Sequence, residues 1–316
     1  GNKINMIIET IIFKIGKVID FEYAKSHIKA SIEKKFSTKG KDIVDNNIKA
    51  VDLAVEGLKT LNIKNIEYKE EDKEEDKTIF SLMDQMRGNE LKVSDFNHHE
   101  DGSFESGSTK KEKRGISDFV PLYNAENCIM CAQCSFVCPH GVIRPFLLNE
   151  EEENNAPESL KKSLLPSNIK DQNLKYTIGI SIEDCTGCGL CIDICPGKKG
   201  NKALGLEIVD KLKEYGKYEE AEYLFNKVSE KTVLNKETVK GSQLRTPKFE
   251  FSGACAGCGE TPYIKLLTQL FKDDMVIANA TGCSSIYGGS APSTPYSVPW
   301  ASSLFEDNAE FGYGMA

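Results

Sequence analysis

Eleven cysteines stand in three groups, and their spacing sets the chemistry open to the chain. Cys128, Cys131, Cys134 and Cys138 form CIMCAQCSFVCP, and Cys185, Cys188, Cys191 and Cys195 form CTGCGLCIDICP. Both runs have the CxxCxxCxxxCP spacing, in which three thiolates hold one 4Fe-4S cubane and the fourth, set before a proline, reaches the neighbouring cluster. The expected ligand sets therefore cross: Cys128, Cys131 and Cys134 with Cys195, and Cys185, Cys188 and Cys191 with Cys138. Zinc also uses CxxC pairs, but its four-ligand sites are usually built from two pairs, and a repeated third cysteine with its proline disfavours it. Disulfides suit neither the short spacings nor a chain without a secretory signal, whose thiols are expected in a reducing cytoplasm. The implied task is one-electron transfer.

Three cysteines remain, Cys255 and Cys258 in GACAGCGETP and Cys283 in ATGCSSI. A third cubane needs four ligands, so the missing one is expected beyond Ala316 or outside the fragment. Glycines beside Cys255 and Cys258 permit close backbone approach, and a helix starting near Pro262 would present its positive end to the thiolates. Cys283 follows residues 275–278, an apolar run that reads as a buried parallel strand. Ligands lodge at the carboxyl ends of such strands, so the loop 281–285 is a candidate cofactor contact; a buried, unreactive Cys283 is the alternative. His98 and His99 have no ligand-spaced partner and read as an exposed turn.

The positioning elements follow from periodicity. Ile4, Ile7, Ile8, Ile11, Ile12 and Ile15 recur at helical spacing, so they are expected to form a packed face, and Gly1 then looks like a cut end. Asp20 is placed to cap a second helix with Ala24, Ile28 and Ile32 inward, and Val44, Ile48, Val51, Val55 and Leu58 mark a third. Residues 67–77, EYKEEDKEEDK, read as a solvated linker, and Glu150 to Glu153 as a surface insertion forming a solvated loop. Leu206, Ile208, Val209, Leu212, Tyr215, Leu224 and Phe225 predict one or two helices interrupted near Gly216, and Thr261 and Pro262 start a helix with Ile264, Leu267, Leu270 and Phe271 inside. Forty basic against 48 acidic residues give a net charge of −8, which argues against a nucleic-acid partner. The early apolar stretch is too short and charged to span a bilayer, so no membrane partner is expected.

Several stretches resemble pyruvate:ferredoxin (flavodoxin) oxidoreductase: EKRG at 112–115, CSFVCPHGVIRPFLL at 134–148, DCTGCGLC at 184–191, KGSQ at 240–243, FSGACAGCGETPY at 251–263, ANATGCSSIYGGSAPSTPY at 278–296 and SLFEDNAEFGYGM at 303–315. The resemblance implies an internal fragment of an α/β multidomain enzyme, with an α+β two-cluster ferredoxin-like domain followed by the start of an α/β thiamine-diphosphate-binding domain. Its implied boundaries are 1–66 for the end of a gamma-subunit-like domain, 67–118 for a linking domain, 119–205 for the two-cluster domain with its insertion, 206–245 for a connection and 246–316 for the truncated thiamine domain. It makes Cys255, Cys258 and Cys283 ligands of a third cluster and places Glu260 and Cys283 against thiamine diphosphate, whose Mg2+ site belongs to the full-length protein; Thr281, Gly282 and Ser284 of the loop after the strand join them as expected cofactor contacts. The implied reaction is oxidative decarboxylation of pyruvate with coenzyme A to acetyl-CoA and CO2 in anaerobic metabolism. Electrons would leave through three 4Fe-4S clusters to ferredoxin or flavodoxin, from a homodimer when full length. The fragment lacks the family's amino-terminal domains and later GDG-type motif, so alone it is expected to be inactive. Its connection between Tyr296 and Trp300 is also shorter than the family's. The alternatives are a related 2-oxoacid oxidoreductase with another substrate, or a dicluster electron carrier without enzymology.

Overall fold

The computed structural model describes residues 4–59, 77–170, 172–279, 282–289, 293–302 and 307–316. The linker reading of 67–77 thus falls almost wholly outside the described residues. The chain divides into two compact units, Gly1–Glu74 and Glu75–Ala316.

In the first unit the described residues build helices Asn5–Gly16, Phe21–Phe36 and Lys41–Glu56. Asp20 caps the second by accepting from Tyr23 N at 2.8 Å. Ile28, Ile32 and Val51 form its core, with Met6, Phe13, Phe36, Val44 and Ile48 packed around them. The isoleucine stripe does not supply this core. Ile4, Ile8, Ile12 and Ile15 are exposed, and the first helix turns Met6, Thr10 and Phe13 inward instead. Burying Thr10 costs little because its hydroxyl donates to Met6 O at 2.7 Å.

The second unit mixes helix and sheet. Strands β1 (Phe119–Tyr123), β2 (Ile143–Leu148), β3 (Leu165–Pro166), β4 (Lys175–Ile180) and β5 (Leu204–Ile208) form two antiparallel sheets, β1 with β5 and β2-β4-β3. Their core contains Val120, Ile143, Leu147, Tyr176, Ile178 and Leu204 together with Cys134, Cys138, Cys185 and Cys191. Leu206 and Ile208 therefore lie in a strand rather than a helix: β5 is held by the register of β1 and leaves both of them exposed. The two expected helices do follow, at Val209–Glu214 and Lys217–Lys227, broken where Gly216 takes φ 70°.

The acidic run is a helix, Glu150–Asn154, and not a loop. Asn149 and Glu152 cap it reciprocally, and Leu160 and Leu224 bury themselves beneath it with Leu148 and Ala156. Towards the end of the chain, β6 (Ile277–Asn279) pairs in parallel with β7 (Trp300–Ser302), as the apolar run foretold, although its residues are only half-buried. The short connection between Tyr296 and Trp300 is packed: Tyr296 bridges Phe249, and its ring stacks on Trp300 at 5.6 Å.

Helix Thr261–Phe271 starts with proline in its first turn, as expected, but its buried face is polar. Thr261, Lys265, Thr268 and Gln269 are buried, whereas Leu267 and Phe271 are exposed. The reversal is possible because Lys265, Thr268 and Gln269 all meet partners, including Gln243 Nε2 donating to Gln269 Oε1 at 2.9 Å, although among the described residues the buried Thr261 hydroxyl has none.

Candidate metal centres

Two small cavities sort the eight cysteines of the paired runs. One, with about 350 Å³ of empty volume, is lined by Cys128, Cys131, Cys134 and Cys195 together with Tyr123, Tyr176, Ile178 and Leu204. The other, with about 370 Å³, is lined by Cys138, Cys185, Cys188 and Cys191 together with Pro121, Ile143, Ile180 and Leu190. Each run thus sends its fourth cysteine to the other run's cavity. Among the described residues no three His, Cys, Asp or Glu side chains converge on a single-ion site. A cubane instead takes each cysteine on a different iron, so four thiols spread around a cavity suit it.

The same backbone device shapes both sites. Two residues after the first cysteine and again four residues after it, the chain turns left-handed: Met130 (φ 58°) and Ala132 (φ 61°) in the first run, Gly187 (φ 65°) and Gly189 (φ 80°) in the second. These turns aim N–H groups at sulfur, Met130 N to Cys128 Sγ at 3.3 Å and Gly187 N to Cys185 Sγ at 3.5 Å. Ala203 N reaches Cys195 Sγ at 3.3 Å. Burial pushes the thiols of Cys128, Cys134 and Cys191 up, and that of Cys185 to about 12. A bound metal's positive charge would favour the deprotonated form of these buried thiols.

The two cavities adjoin, since the Cys191 thiol feels both Cys138 and Cys134. The first also shares Tyr123, Ala203 and Leu204 with an open cleft of about 1480 Å³ of empty volume. His140 lines the second and is buried, with Nδ1 3.0 Å from Ser252 O.

Of the third cysteine set, Cys258 N donates to Cys255 O at 3.0 Å in a tight turn, and Cys255 and Cys283 are exposed, so Cys283 is not a buried thiol. Cys283 opens the helix Cys283–Gly288 directly after Gly282. From that helix Tyr287 reaches the loop: burial raises its hydroxyl pKa, and Tyr296, Glu260 and Cys258 add to the rise. Glu260 is exposed, Ser284 is half-buried and Thr281 lies outside the described residues.

The EKRG stretch, quoted for resemblance alone, turns out to be a clamp. Lys113 Nζ donates to Asp184, beside Cys185, and to Ser181 Oγ, and it lies 4.9 Å from the Phe251 ring centroid. Gly115 N donates to Glu183 O at 2.8 Å, while Glu112 pairs with Arg114 and accepts from Ser293. Just before the third set, Glu250 is buried in ion pairs with Arg144 and Lys110. Sequence reasoning missed Lys113, Asp184, Arg144 and Lys265 as parts of the site. For Lys265 a signal existed in the polar stripe Thr261, Lys265, Thr268 and Gln269, spaced as one helix face.

A family described as a 4Fe-4S dicluster domain matches residues 124–199, and one described as a domain of unknown function matches 68–117. Among curated relatives, the chain is 48% identical to the pyruvate:ferredoxin oxidoreductase of Moorella thermoacetica and 43% identical to the pyruvate-flavodoxin oxidoreductase of Enterobacter agglomerans. Each alignment covers 100% of this chain and 28% of the relative. The pyruvate dehydrogenase [NADP(+)] of Cryptosporidium parvum is 38% identical over 100% of this chain and 18% of its own length. Over its whole length the chain is thus homologous to one segment of the pyruvate:ferredoxin and pyruvate-flavodoxin oxidoreductases, and it spans about 28% of their length.

Proposed function

We propose that this chain is the electron-transfer stretch of an enzyme that oxidatively decarboxylates pyruvate with coenzyme A, delivering electrons to ferredoxin or flavodoxin. The observation that carries the reading is the crossed sorting of eight cysteines into two adjoining cavities. Cys128, Cys131, Cys134 and Cys195 would hold one 4Fe-4S cluster, and Cys138, Cys185, Cys188 and Cys191 the other. Such clusters supply one-electron transfer.

The chain's own residues do the rest. Tyr176, Ile143, Ile182 and Leu204 are buried around the sulfurs and keep water away. The N–H groups of Met130, Gly187 and Ala203 favour the anionic form of the sulfur they face. Cys255, Cys258 and Cys283 serve as ligands of a third cluster, completed elsewhere in the longer protein. The cysteine sets then run in order from the Cys255 loop through the Cys138 cavity to the Cys128 cavity and its open cleft, where Lys162 and Lys202 face an acceptor. Glu260, Thr281, Gly282, Cys283 and Ser284 would meet thiamine diphosphate, with its Mg2+, where β6 ends and the next helix begins. The two-cluster body is ferredoxin-like on this reading, and 246–316 begins the thiamine domain.

Anaerobic loading of the chain with iron and sulfide should give about eight irons per chain and, on reduction, paramagnetic spectra of two clusters. Zinc uptake without a paramagnetic signal would overturn the reading. In the longer protein, turnover of pyruvate but not 2-oxoglutarate would fix the substrate.

A further inference from the structure

Lys265 is 1% exposed. It sits on the inward polar face of the helix that begins just after Cys258, and its ammonium donates to Ser135 O and, at 3.5 Å, to Phe136 O. These carbonyls lie at the end of the short helix Gln133–Phe136, between Cys134 of one cavity and Cys138 of the other. The position is braced on both sides. Ser135 Oγ donates to Gln243 Oε1 at 2.9 Å, Gln243 Nε2 donates to Gln269 Oε1, and Gln269 Nε2 donates to Arg245 O at 2.8 Å.

Among the described residues no carboxylate pairs with this lysine, and an uncompensated buried charge is costly. Burial pushes its ammonium down to about 8; the Cys138 thiol pulls it back up, the Arg144 guanidinium pushes it further down, and the Cys134 thiol adds a smaller upward pull. Among the described residues the charge is best balanced by negative charge behind those two cysteines, which thiolate-held iron-sulfur centres would bring.

We propose that Lys265 sets the potential of both centres: its fixed positive charge favours their reduced, more negative form. It is a positioning residue acting through the Cys134 and Cys138 segment, and the inference rests on reading the two cavities as iron-sulfur sites. Because the lysine is carried by the helix following Cys258, the potentials of the paired centres depend on the seating of that helix.

The test is an EPR-monitored redox titration of the iron-loaded chain beside Lys265→Gln, Lys265→Arg and Gln269→Leu. Glutamine keeps a donor for the Ser135 carbonyl but drops the charge. It should lower the midpoint by a tenfold change in the one-electron equilibrium constant, which is 59 mV for one electron. Arginine and Gln269→Leu should leave the midpoint in place. A fully iron-loaded Lys265→Gln chain with an unchanged midpoint would overturn the inference. So would loss of iron in both Lys265→Gln and Lys265→Arg, which would assign the lysine to packing alone. If the parent chain takes up no iron, the reading of the cavities fails, and the inference with it.

Discussion

Gly257 lies against Cys188: a β-carbon on the glycine would come 3.8 Å from Cys188 Cβ and 3.9 Å from Leu190 Cδ1. The loop of the third cysteine set thus rests on the wall of the second cavity. Gly257 also takes φ +74°. Gly257→Ala should therefore cost about 1–3 kcal/mol in urea unfolding through its left-handed backbone, and the same substitution at the exposed Gly205 should not approach that.

The crossed sorting makes pairs of substitutions equivalent. Cys131→Ala and Cys195→Ala should remove the same cluster, and Cys188→Ala and Cys138→Ala the other. EPR spectra of the four reduced variants should fall into two pairs. A Cys195→Ala spectrum matching Cys188→Ala would exclude the crossing.

Met130 and Gly187 occupy equivalent left-handed positions, so backbone strain alone does not require glycine at the second. What does is space: a β-carbon on Gly187 would meet the backbone Phe119 O at 2.9 Å and collide with Ser117 Oγ. Gly187→Ala should destabilise the chain by more than about 1–3 kcal/mol and cost the cluster beside it, whereas Met130→Gly should retain both clusters by iron count.

Arg144 and Glu250 form a buried ion pair, with the guanidinium 4.7 Å from the Phe225 ring centroid. Arg144→Met strands the carboxylate, for which Lys110 is the remaining cation, and should cost about 3–5 kcal/mol in urea unfolding. Arg144→Met with Glu250→Leu should recover most of that loss.

Burial pushes the Glu152 carboxyl up, but Lys231, Asn149 N–H and the Ser229 N–H and hydroxyl together hold it below its ordinary 4.5. A carboxyl depressed in the folded state contributes its stability above the unfolded value, and loses it as pH falls through the folded one. Glu152→Gln should therefore lose about 1–3 kcal/mol at pH 7, with the gap to the parent narrowing below about pH 4.5. Urea unfolding at several pH values reads it.

The eight-cysteine arrangement was legible because ligand spacing is local and the same run occurs twice. Asp20, Gly216 and Pro262 were legible for the same reason, since caps and breaks are set by one or two residues. The isoleucine stripe and the helix after Pro262 misled because hydrophobicity alone does not say which face is buried. A threonine satisfied by Met6 O and a lysine satisfied by Ser135 O can go inside when partners wait there, and those partners lie far off in sequence. The Lys113 clamp was invisible for that reason too: Asp184 and Phe251 come beside it only in the fold.

Since Cys195 closes the first cavity and Cys138 the second, neither pocket is complete until the end of the second run has left the ribosome. Maturation of the pair would then wait for the second run, and a nascent chain halted anywhere inside the intervening helical insertion would carry open, oxidisable thiols with no finished centre to protect them.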